Sequence, residues 1–435
     1  MIADEQLNEL IAWIADAGLA GQPELTLLTG FCERAVTAGL PLARAHLLID
    51  TLDPVYEGRV FRWGFDASLP AEEDYGRTSW AAGAATSGSP LAPTAPHVDA
   101  WRGSPFYRMR ETGEYLLRRR LPAADETEFK VLSEMRAAGF TDYVAIINRF
   151  AAEGSIGEMD CVYSSWVTRD PGRFRNEHIA ALQRLAPFLA LAVKSVALTR
   201  MTGTLMQTYL GRDAGRRVLS GRIMRGVADR IDTVLWFSDL RGFTRITDTT
   251  PKHVIPLLND YADVIVSAIH EQGGDVLKFM GDGVLAIFTA DDRTRACNAA
   301  LAAAVAARRG VAELNERRTA AGLPITDMYL GLHVGEVLYG NVGSTERLDF
   351  TVVGPAVNEV SRIAAMCRSA EQPMLVSAAF AEIGNNRARL VSVGRYALRG
   401  VSGAQELFTL DPSEGGSGAD SSRGERARRE RLISS

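Results

Sequence analysis

Hydrophobic and polar positions follow two different periods along the chain. In the first 200 residues, apolar residues recur at helical spacing in some stretches and alternate with polar residues in others. Helices are predicted around residues 7–14, 27–35, 126–138 and 174–200, and strands over 43–52, 58–65, 114–121, 143–150 and 155–167. A few antiparallel strands with helices at both ends predict one α+β domain over residues 1–200.

From residue 234 onward, the pattern places single aspartates at the ends of strands. An apolar strand over 234–237 leads to Asp239 and a turn, after which a helix is predicted. Two further apolar runs, 276–280 and 284–288, flank Gly281-Asp282-Gly283, which is typical of a tight hairpin with a carboxylate at its tip. Both aspartates are therefore expected on rigid strand-end backbone.

Three stretches interrupt these periodic patterns. Residues 66–105 are rich in Gly, Ala, Ser, Pro and Thr and predict a long loop, either a functional lid or a disordered segment. Residues 201–231 predict a helical linker, broken at Gly211 and Gly215, that either transmits a conformational change or acts as a passive spacer. Residues 412–435 are Gly/Ser-rich and then Arg-rich, which predicts a disordered tail.

Composition limits the possible functions. The 435 residues, 46% hydrophobic and 23% charged, suffice for two or three folded domains. A net charge of -5 argues against a general binder of nucleic acid or anionic membranes. Four scattered cysteines without a CxxC pair indicate free thiols in a reducing cytoplasm rather than disulfides or a zinc site.

The chain is expected to be cytoplasmic and not inserted in a membrane. Its first 19 residues carry acidic side chains and apolar positions at helical spacing, unlike a signal peptide. The most apolar runs, 189–193 and 299–307, are shorter than the roughly 18 residues needed to span a bilayer.

The paired aspartates indicate a site for a hard divalent cation. Mg²⁺ takes oxygen ligands and is usually held by one or two carboxylates together with substrate phosphates. The free N–H groups at the start of the helix after Asp239 would suit a polyphosphate. Either aspartate alone is more typical of a helix cap or a turn, so the metal hypothesis depends on their occurring together.

This part of the chain resembles the class III nucleotide cyclases. The resemblance runs from about Val234 to about Phe408, and FSDLRGFT and KFMGDG correspond to the two metal-binding segments of that family. It implies an α+β catalytic domain over residues 232–411, with a ferredoxin-like βαββαβ core and added elements. The more general likeness of residues 1–200 is to a GAF-type sensory domain, from which no ligand is assigned.

The resemblance also implies how metal and phosphate are held. Two Mg²⁺ or Mn²⁺ ions per site would lie between Asp239 and Asp282, and Leu240 would lend a backbone carbonyl. The turn at Gly242, with the N–H groups of Phe243 and Thr244, would bind the phosphates.

Lys278 and Thr351 match the positions at which the family reads the purine. A lysine donates to the adenine N1 acceptor, and a threonine hydroxyl accepts from the adenine N6 donor. Guanine carries a proton on N1 and would meet Lys278 donor to donor, so ATP is the expected substrate. Many cyclases have Asp where this chain has Thr351. Lys278 lies four residues before Asp282, and their side chains are expected to project to one face of the sheet.

Asn358 and Arg362, four residues apart in VNEVSR, are expected on one helix face. By resemblance they are the transition-state pair: Asn358 orients the ribose and Arg362 neutralises charge on the α-phosphate. Arg399 matches a position where the family often has a lysine at the terminal phosphates, and the change alters the donor geometry. His333 alternates within a strand pattern and is interpreted as structural.

The expected activity is an adenylate cyclase that converts ATP to 3′,5′-cyclic AMP and pyrophosphate, regulated by the N-terminal domain. The expected assembly is a homodimer whose active sites are shared between subunits. Guanylate cyclase and a catalytically silent nucleotide-binding module are the alternatives. A diguanylate cyclase is not favoured, because Asp275 of Gly273-Gly274-Asp275 starts a strand instead of forming a hairpin tip.

Overall fold

The computed structural model describes residues 2–76, 101–121, 128–151, 153, 155–157, 159–383, 386–401 and 403–411. These residues form two compact units, and the division falls after Leu205. Each unit has its own sheet and hydrophobic core.

The N-terminal unit is built on a six-stranded antiparallel sheet. Its strands lie in the order β3-β2-β1-β6-β5-β4. The strands are β1 (Arg44–Asp50), β2 (Tyr56–Trp63), β3 (Glu72–Gly76), β4 (Leu116–Arg120), β5 (Asp142–Arg149) and β6 (Cys161–Thr168). The helices are α1 (Asp4–Leu19), α2 (Glu24–Thr37), α3 (Pro105–Thr112), α4 (Lys130–Ala137) and α5 (Asn176–Leu210).

Each face of this sheet has its own core. On one face, apolar residues of α1, α2 and α5 pack around Phe31 and Trp166, whose ring centroids lie 5.2 Å apart. On the other face, α3 and α4 cover Tyr163 and its neighbours. The helices and strands predicted for residues 1–200 are present with shifted ends, while the likeness to a GAF domain stays a prediction.

The predicted loop over residues 66–105 is wrong in part. Its segment 72–76 is β3, which pairs with β2 in antiparallel register from Tyr56↔Gly76 to Phe61↔Glu72. Acidic residues in β3 face arginines of β2, as in the contact of Arg62 with Glu73, and so the strand was not visible as an apolar alternation. Residues 77–100, like the tail over 412–435, lie outside the described residues.

Helix α5 is long and apolar enough, by length and composition, to cross a bilayer. It is the one such helix in the described part of the chain, and it escaped notice in the sequence because polar residues interrupt its apolar runs. In its most apolar window, 44% of the residues are buried inside the fold. A core helix has the same properties, so α5 alone is weak evidence for a membrane segment.

The C-terminal unit combines an eight-stranded sheet with helices on both faces. Its helices are α6 (Arg212–Leu219), α7 (Phe243–Thr249), α8 (Val254–Glu271), α9 (Arg293–Ala320), α10 (Pro355–Ser369) and α11 (Ala378–Ala381). Its strands are β7 (Ala228–Leu240), β8 (Asp275–Met280), β9 (Gly283–Phe288), β10 (Met328–Gly343), β11 (Leu348–Val353), β12 (Met374–Ser377), β13 (Leu390–Ala397) and β14 (Ala404–Leu410). Short 3₁₀ turns occur at Pro251–His253 and Asn386–Arg389.

The centre of this sheet has the predicted ferredoxin-like topology. The strands lie in the order β13-β14-β12-β10-β7-β9-β8, and β11 pairs with β10. In chain order, β7, β8, β9 and β10 are strands one to four of a βαββαβ unit with the spatial order four-one-three-two. The added elements are β11 to β14 and the helices between them.

Helices α8 and α9 cover one face of this sheet, where Tyr261 and Ala300 are fully buried. Helices α6 and α10 cover the other face, together with Leu235, Leu285 and Phe350. The odd residues of β7 and β10 therefore face α10, and the even residues face α8 and α9. This division decides which side chains can meet at the site.

The linker is more helical than predicted. Helix α5 ends at Leu210, before Gly211 with φ 90°, and α6 follows directly. The prediction that Gly215 breaks the helical linker is wrong, because Gly215 lies inside α6. It is buried inside the helix, where an added Cβ would lie 2.8 Å from the carbonyl carbon of Met206. Only a glycine allows the two backbones to pack this closely. The glycine at this position therefore reflects packing and does not end the helix.

Candidate active site

Asp239 is the next-to-last residue of β7, as the apolar run predicted. Its Oδ1 atom is buried and has no hydrogen-bond partner among the described residues. Burial, and then the charge of Asp282, raises the pKa of this carboxyl from its usual value to about 6, although Arg368 acts in the opposite direction. A partly buried acid beside a second acid is a place where a cation would be stabilised.

Asp282 lies at the tip of the β8–β9 hairpin. Met280 pairs with Gly283, so the loop is the two residues Gly281 and Asp282, and Gly281 has the positive φ of 67° that such a turn requires. The Oδ2 atom of Asp282 accepts a hydrogen bond of 3.1 Å from the backbone N–H of Leu240. This bond joins the hairpin tip to the end of β7 and holds the two aspartates side by side.

The donor set suits a hard divalent cation. Asp239 offers an oxygen that is buried and has no partner among the described residues. Asp282 offers its Oδ1 atom in addition to the Oδ2 atom that accepts from Leu240, and the carbonyl of Leu240 directly follows Asp239 in the chain. Within the described ranges, no cluster of three or more His, Cys, Asp or Glu side chains surrounds a metal-sized space. Two carboxylates are what Mg²⁺ or Mn²⁺ needs when substrate phosphates complete the coordination.

The turn after β7 is fixed from behind. Gly242 has φ 69°, in the left-handed region, and caps the seven-residue helix α7 that carries Phe243 and Thr244. The hydroxyl of Thr326 donates to the carbonyl of Arg241 at 2.7 Å, and the N–H of Arg241 donates to the carbonyl of Asp327 at 2.7 Å. The predicted phosphate-binding turn is thus anchored to the segment before β10.

A cavity of about 240 Å³ lies beside Asp282 under helix α8. Phe279, Tyr261 and Leu258 line it together with Asp282. The hydroxyl of Tyr261 accepts from the N–H of Thr326 at 2.8 Å, so one residue contributes both to the cavity wall and to the support of the turn.

Lys278 forms an ion pair with Asp349 of β11. Lys278 stands opposite Leu285 in the hairpin, and Leu285 belongs to the core on the α10 face of the sheet. Thr351 lies two residues beyond Asp349 on the same face of β11. The fold therefore brings Lys278 to the strand that carries Thr351.

The expectation that Lys278 and Asp282 project to one face of the sheet stays a prediction. Lys278 stands opposite Leu285 within the hairpin, whereas Asp282 belongs to the two-residue turn, where strand alternation has ended.

Asn358 and Arg362 occupy one face of α10, one turn apart. The side chain of Asn358 is exposed, and Arg362 is partly buried and has no carboxylate within salt-bridge distance among the described residues. An added Cβ at Gly400 would lie 3.4 Å from the guanidinium nitrogens of Arg362. Arg399 is exposed in the turn before β14 and directly precedes Gly400, so it lies near the guanidinium of Arg362.

Asp349 is the residue of this site that sequence reasoning missed. It lies two positions before Thr351, and this spacing within a strand could have marked it as a residue on the same face of the strand. Its pairing with Lys278, 71 residues away, is visible only when β8 and β11 are brought together.

Two strand-end carboxylates, the predicted phosphate-binding turn and a helix with Asn358 and Arg362, in a ferredoxin-like fold, are the arrangement expected of a nucleotide cyclase catalytic domain. Residues 227–412 match the model of the family described as "Adenylate and Guanylate cyclase catalytic domain". This segment belongs to that family, and the expected class III cyclase catalytic domain and its α+β fold are confirmed.

Curated relatives support the same assignment. An adenylate cyclase from Anabaena cylindrica is 37% identical over 143 residues, which are 32% of this chain and 28% of that protein. Adenylate cyclase 1 of Rhizobium meliloti is 28% identical over 205 residues, 46% of this chain and 31% of that protein. The chain thus spans about a third of the length of these relatives.

Among solved structures, the adenylyl cyclase CyaB from P. aeruginosa has 24% sequence identity and a TM-score of 0.40. The match covers 42% of this chain and 96% of that one.

Proposed function

We propose that the protein is an adenylate cyclase that converts ATP to 3′,5′-cyclic AMP and pyrophosphate. The observation that carries the proposal is the ion pair of Lys278 with Asp349, two residues before Thr351, in a cyclase domain that also keeps Asp239, Asp282 and Arg362. A silent nucleotide-binding module is less well supported, because silent members of the family usually lose a metal aspartate or the Asn/Arg pair.

Asp239, Asp282 and the carbonyl of Leu240 would hold two Mg²⁺ or Mn²⁺ ions. When bound, such ions lower the pKa of the ribose 3′-hydroxyl and neutralise charge on the triphosphate. The N–H groups of Phe243 and Thr244, at the start of α7, would donate to the phosphate oxygens.

The remaining residues position the nucleotide and stabilise charge. Asn358 would orient the ribose, and the guanidinium of Arg362 would stabilise the charge that develops on the α-phosphate during in-line attack. Arg399, in the adjacent turn, would contact the terminal phosphates, where its planar fork can bind two oxygens at once.

Base choice would rest on Lys278 and Thr351. Lys278 donates to N1 of adenine, and the Thr351 hydroxyl accepts from N6. Guanylate cyclase activity has one observation in its favour, since the carboxylate of Asp349 is next to the ammonium of Lys278 and could accept from N1–H of guanine. In the present structure that carboxylate is held by Lys278, and for this reason ATP is the proposed substrate.

A C₂ homodimer with shared sites is proposed for the assembly. In the family that the catalytic domain matches, the metal aspartates of a site come from one subunit and the base-reading and transition-state residues from its partner. This chain holds both sets within a single catalytic domain. In a closed dimer, each site would combine the aspartates of one subunit with the base-reading and transition-state residues of its partner.

The test is product formation by the purified full-length chain with ATP and with GTP, in the presence of Mn²⁺. Cyclic AMP at a kcat/KM at least about tenfold above that for cyclic GMP is expected. Equal or greater use of GTP would favour guanylate cyclase, and no product from either nucleotide would contradict a cyclase. Comparison of the full chain with the unit starting at Met206 would then test whether the N-terminal unit regulates the activity.

A further inference from the structure

Helix α10 rests directly on strand β10 through two glycines. An added Cβ at Gly331 would lie 2.7 Å from the backbone N of Ala364 and 2.7 Å from the carbonyl oxygen of Val360. An added Cβ at Gly335 would lie 2.8 Å from the Cβ of Ala356. Both glycines are on the face of β10 that points to α10, and their missing side chains let the helix backbone approach the strand.

His333 lies between these two glycines on the same face of β10. It is 7% exposed, and its Nδ1 atom lies 2.9 Å from the hydroxyl oxygen of Ser377 at the end of β12. Its Nε2 atom lies 3.7 Å from a carboxylate oxygen of Glu359 on α10. One imidazole thus connects the two central strands to the helix.

The hydrogen-bond partners assign the tautomer of His333. The oxygen of Ser377 already accepts from the N–H of Phe380 at 3.2 Å, as the cap of α11, so its own hydrogen can be donated to Nδ1. The ring proton is then on Nε2, which faces Glu359. Burial lowers the pKa of His333 and outweighs the charge of Glu359, so the ring is neutral at pH 7.

Glu359 lies within the transition-state segment of α10. It directly follows Asn358 and precedes Arg362 by three residues, and successive residues of a helix are rotated by about 100°. Glu359 is on the side of α10 that meets β10, and its carboxylate lies 3.7 Å from Nε2 of His333, which is longer than a hydrogen bond. The attraction between this carboxylate and the Nε2–H dipole opposes rotation of the helix about its axis. That rotation determines where Asn358 and Arg362 point.

We propose that His333 is a positioning residue for the cyclase reaction, which acts through Glu359 to hold α10 with Asn358 and Arg362 in their productive orientation. The inference rests on the proposed function and assigns a role to a residue that the sequence alone marked as structural. Ser377 orients the imidazole and is the third member of this link.

The variants are Glu359→Gln, His333→Gln and the combination of the two. Each single variant should lower kcat about tenfold and change KM for ATP less than about twofold, since small displacements of catalytic groups are costly. The ratio of activity with ATP to activity with GTP should not change, because Lys278 and Thr351 are on other strands. The double variant should be within about twofold of the worse single variant, because both remove the same link.

Glu336→Gln is the matched control. Glu336 is also on β10, next to Gly335, and forms a solvent-exposed ion pair of 2.9 Å with Arg230. Its loss should leave kcat unchanged.

Hydrogen–deuterium exchange supplies a second measurement that does not need activity. Exchange over residues 355–369 should be faster in the Glu359 and His333 variants, while exchange over α9 stays as in the wild type. A kcat within about twofold of wild type in both single variants, or additive losses in the double variant, would overturn the proposal. The proposal would also be overturned if exchange became faster in every part of the variants and kcat fell in proportion to the melting temperature.

If wild type forms no product from either nucleotide, the proposed function fails. In that case the exchange of residues 355–369 alone decides whether His333 holds the helix.

Discussion

Lys278 and Asp349 form an ion pair that connects the edge strand β8 to β11, the two strands that carry the proposed base-reading residues. The Lys278 side chain is 27% exposed and that of Asp349 is 52% exposed, so the pair is partly solvated. Its contribution to stability is small, since exposed ion pairs contribute about 0.2–1 kcal/mol. Its importance is that it directs the ammonium of Lys278 toward the strand that carries Thr351.

Asp349→Asn tests this relationship. With the pair removed, Lys278 gains rotamer freedom, and we expect KM for ATP to rise about two- to fivefold while kcat is unchanged. Steady-state kinetics with ATP and Mn²⁺ are the measurement. Glu313→Gln removes a comparable exposed pair with Arg309 on α9, away from the pocket, and should change neither parameter. An unchanged KM in Asp349→Asn would show that the pair does not orient the lysine.

Lys278→Glu should weaken the use of ATP. The introduced carboxylate would face the N1 lone pair of adenine, and the lost and then opposed hydrogen bond should cost about 1–3 kcal/mol, or roughly five- to 150-fold in kcat/KM. The same carboxylate can accept from N1–H of guanine, so the ratio of ATP to GTP use should fall. A ratio equal to that of the wild type would mean that Lys278 does not read the base.

Asp239→Ala or Asp282→Ala should abolish cyclase activity and leave the fold intact. Each change removes a proposed metal ligand at a strand end without opening a cavity in the core. Cyclic AMP formation with Mn²⁺ and circular dichroism are the two measurements. Asp248→Ala, on the exposed side of α7, is the control and should keep full activity. Activity within about tenfold of wild type in either site variant, with an unchanged spectrum, would exclude the assigned role.

Mixing two inactive variants should restore activity if the sites are shared. Asp239→Ala and Arg362→Ala homodimers would each be inactive, but their heterodimer has one site with both lesions and one site with neither. Random exchange makes half of the dimers heterodimers, each with one intact site, so about a quarter of wild-type activity should return. No recovery after demonstrated subunit exchange would contradict the shared-site model.

Asp239 should make the stability of the metal-free protein depend on pH. Its native pKa is raised to about 6, above that of the unfolded chain, so the native state binds more protons between about pH 4 and 6. The melting temperature in EDTA should therefore fall as the pH rises through that window, and Asp239→Asn should reduce the slope. Mn²⁺ should raise the melting temperature more at pH 7.5 than at pH 5.5, because cation and proton compete for the carboxylate. An equal Mn²⁺ effect at both values would contradict this prediction.

Local periodicity was sufficient for much of the catalytic unit. The apolar run before Asp239 and the pair of runs around Asp282 predicted strand ends and a hairpin tip, and the structure has both. The spacing of Asn358 and Arg362 predicted a common helix face, and both lie on α10. These inferences succeed because strand alternation, turn residues and helical spacing depend on neighbours within a few positions.

Local patterns failed where a residue's role depends on a distant partner. Gly215 was interpreted as a helix breaker, but it is a close-packing position inside α6. Strand β3 was missed because arginines of the adjacent strand neutralise its acidic residues. In both cases a contact across the fold outweighs the propensity of the segment itself.

By itself, the sequence determined the position of each catalytic motif on a strand end, a hairpin tip or a helix face. Only the tertiary structure decided that Lys278 pairs with Asp349, that the carboxylate of Asp282 accepts from the N–H of Leu240, and that His333 contacts Glu359. The reason is physical: a period along the chain specifies which way a side chain points. Which side chain it meets depends on the order and register of strands that are far apart in sequence.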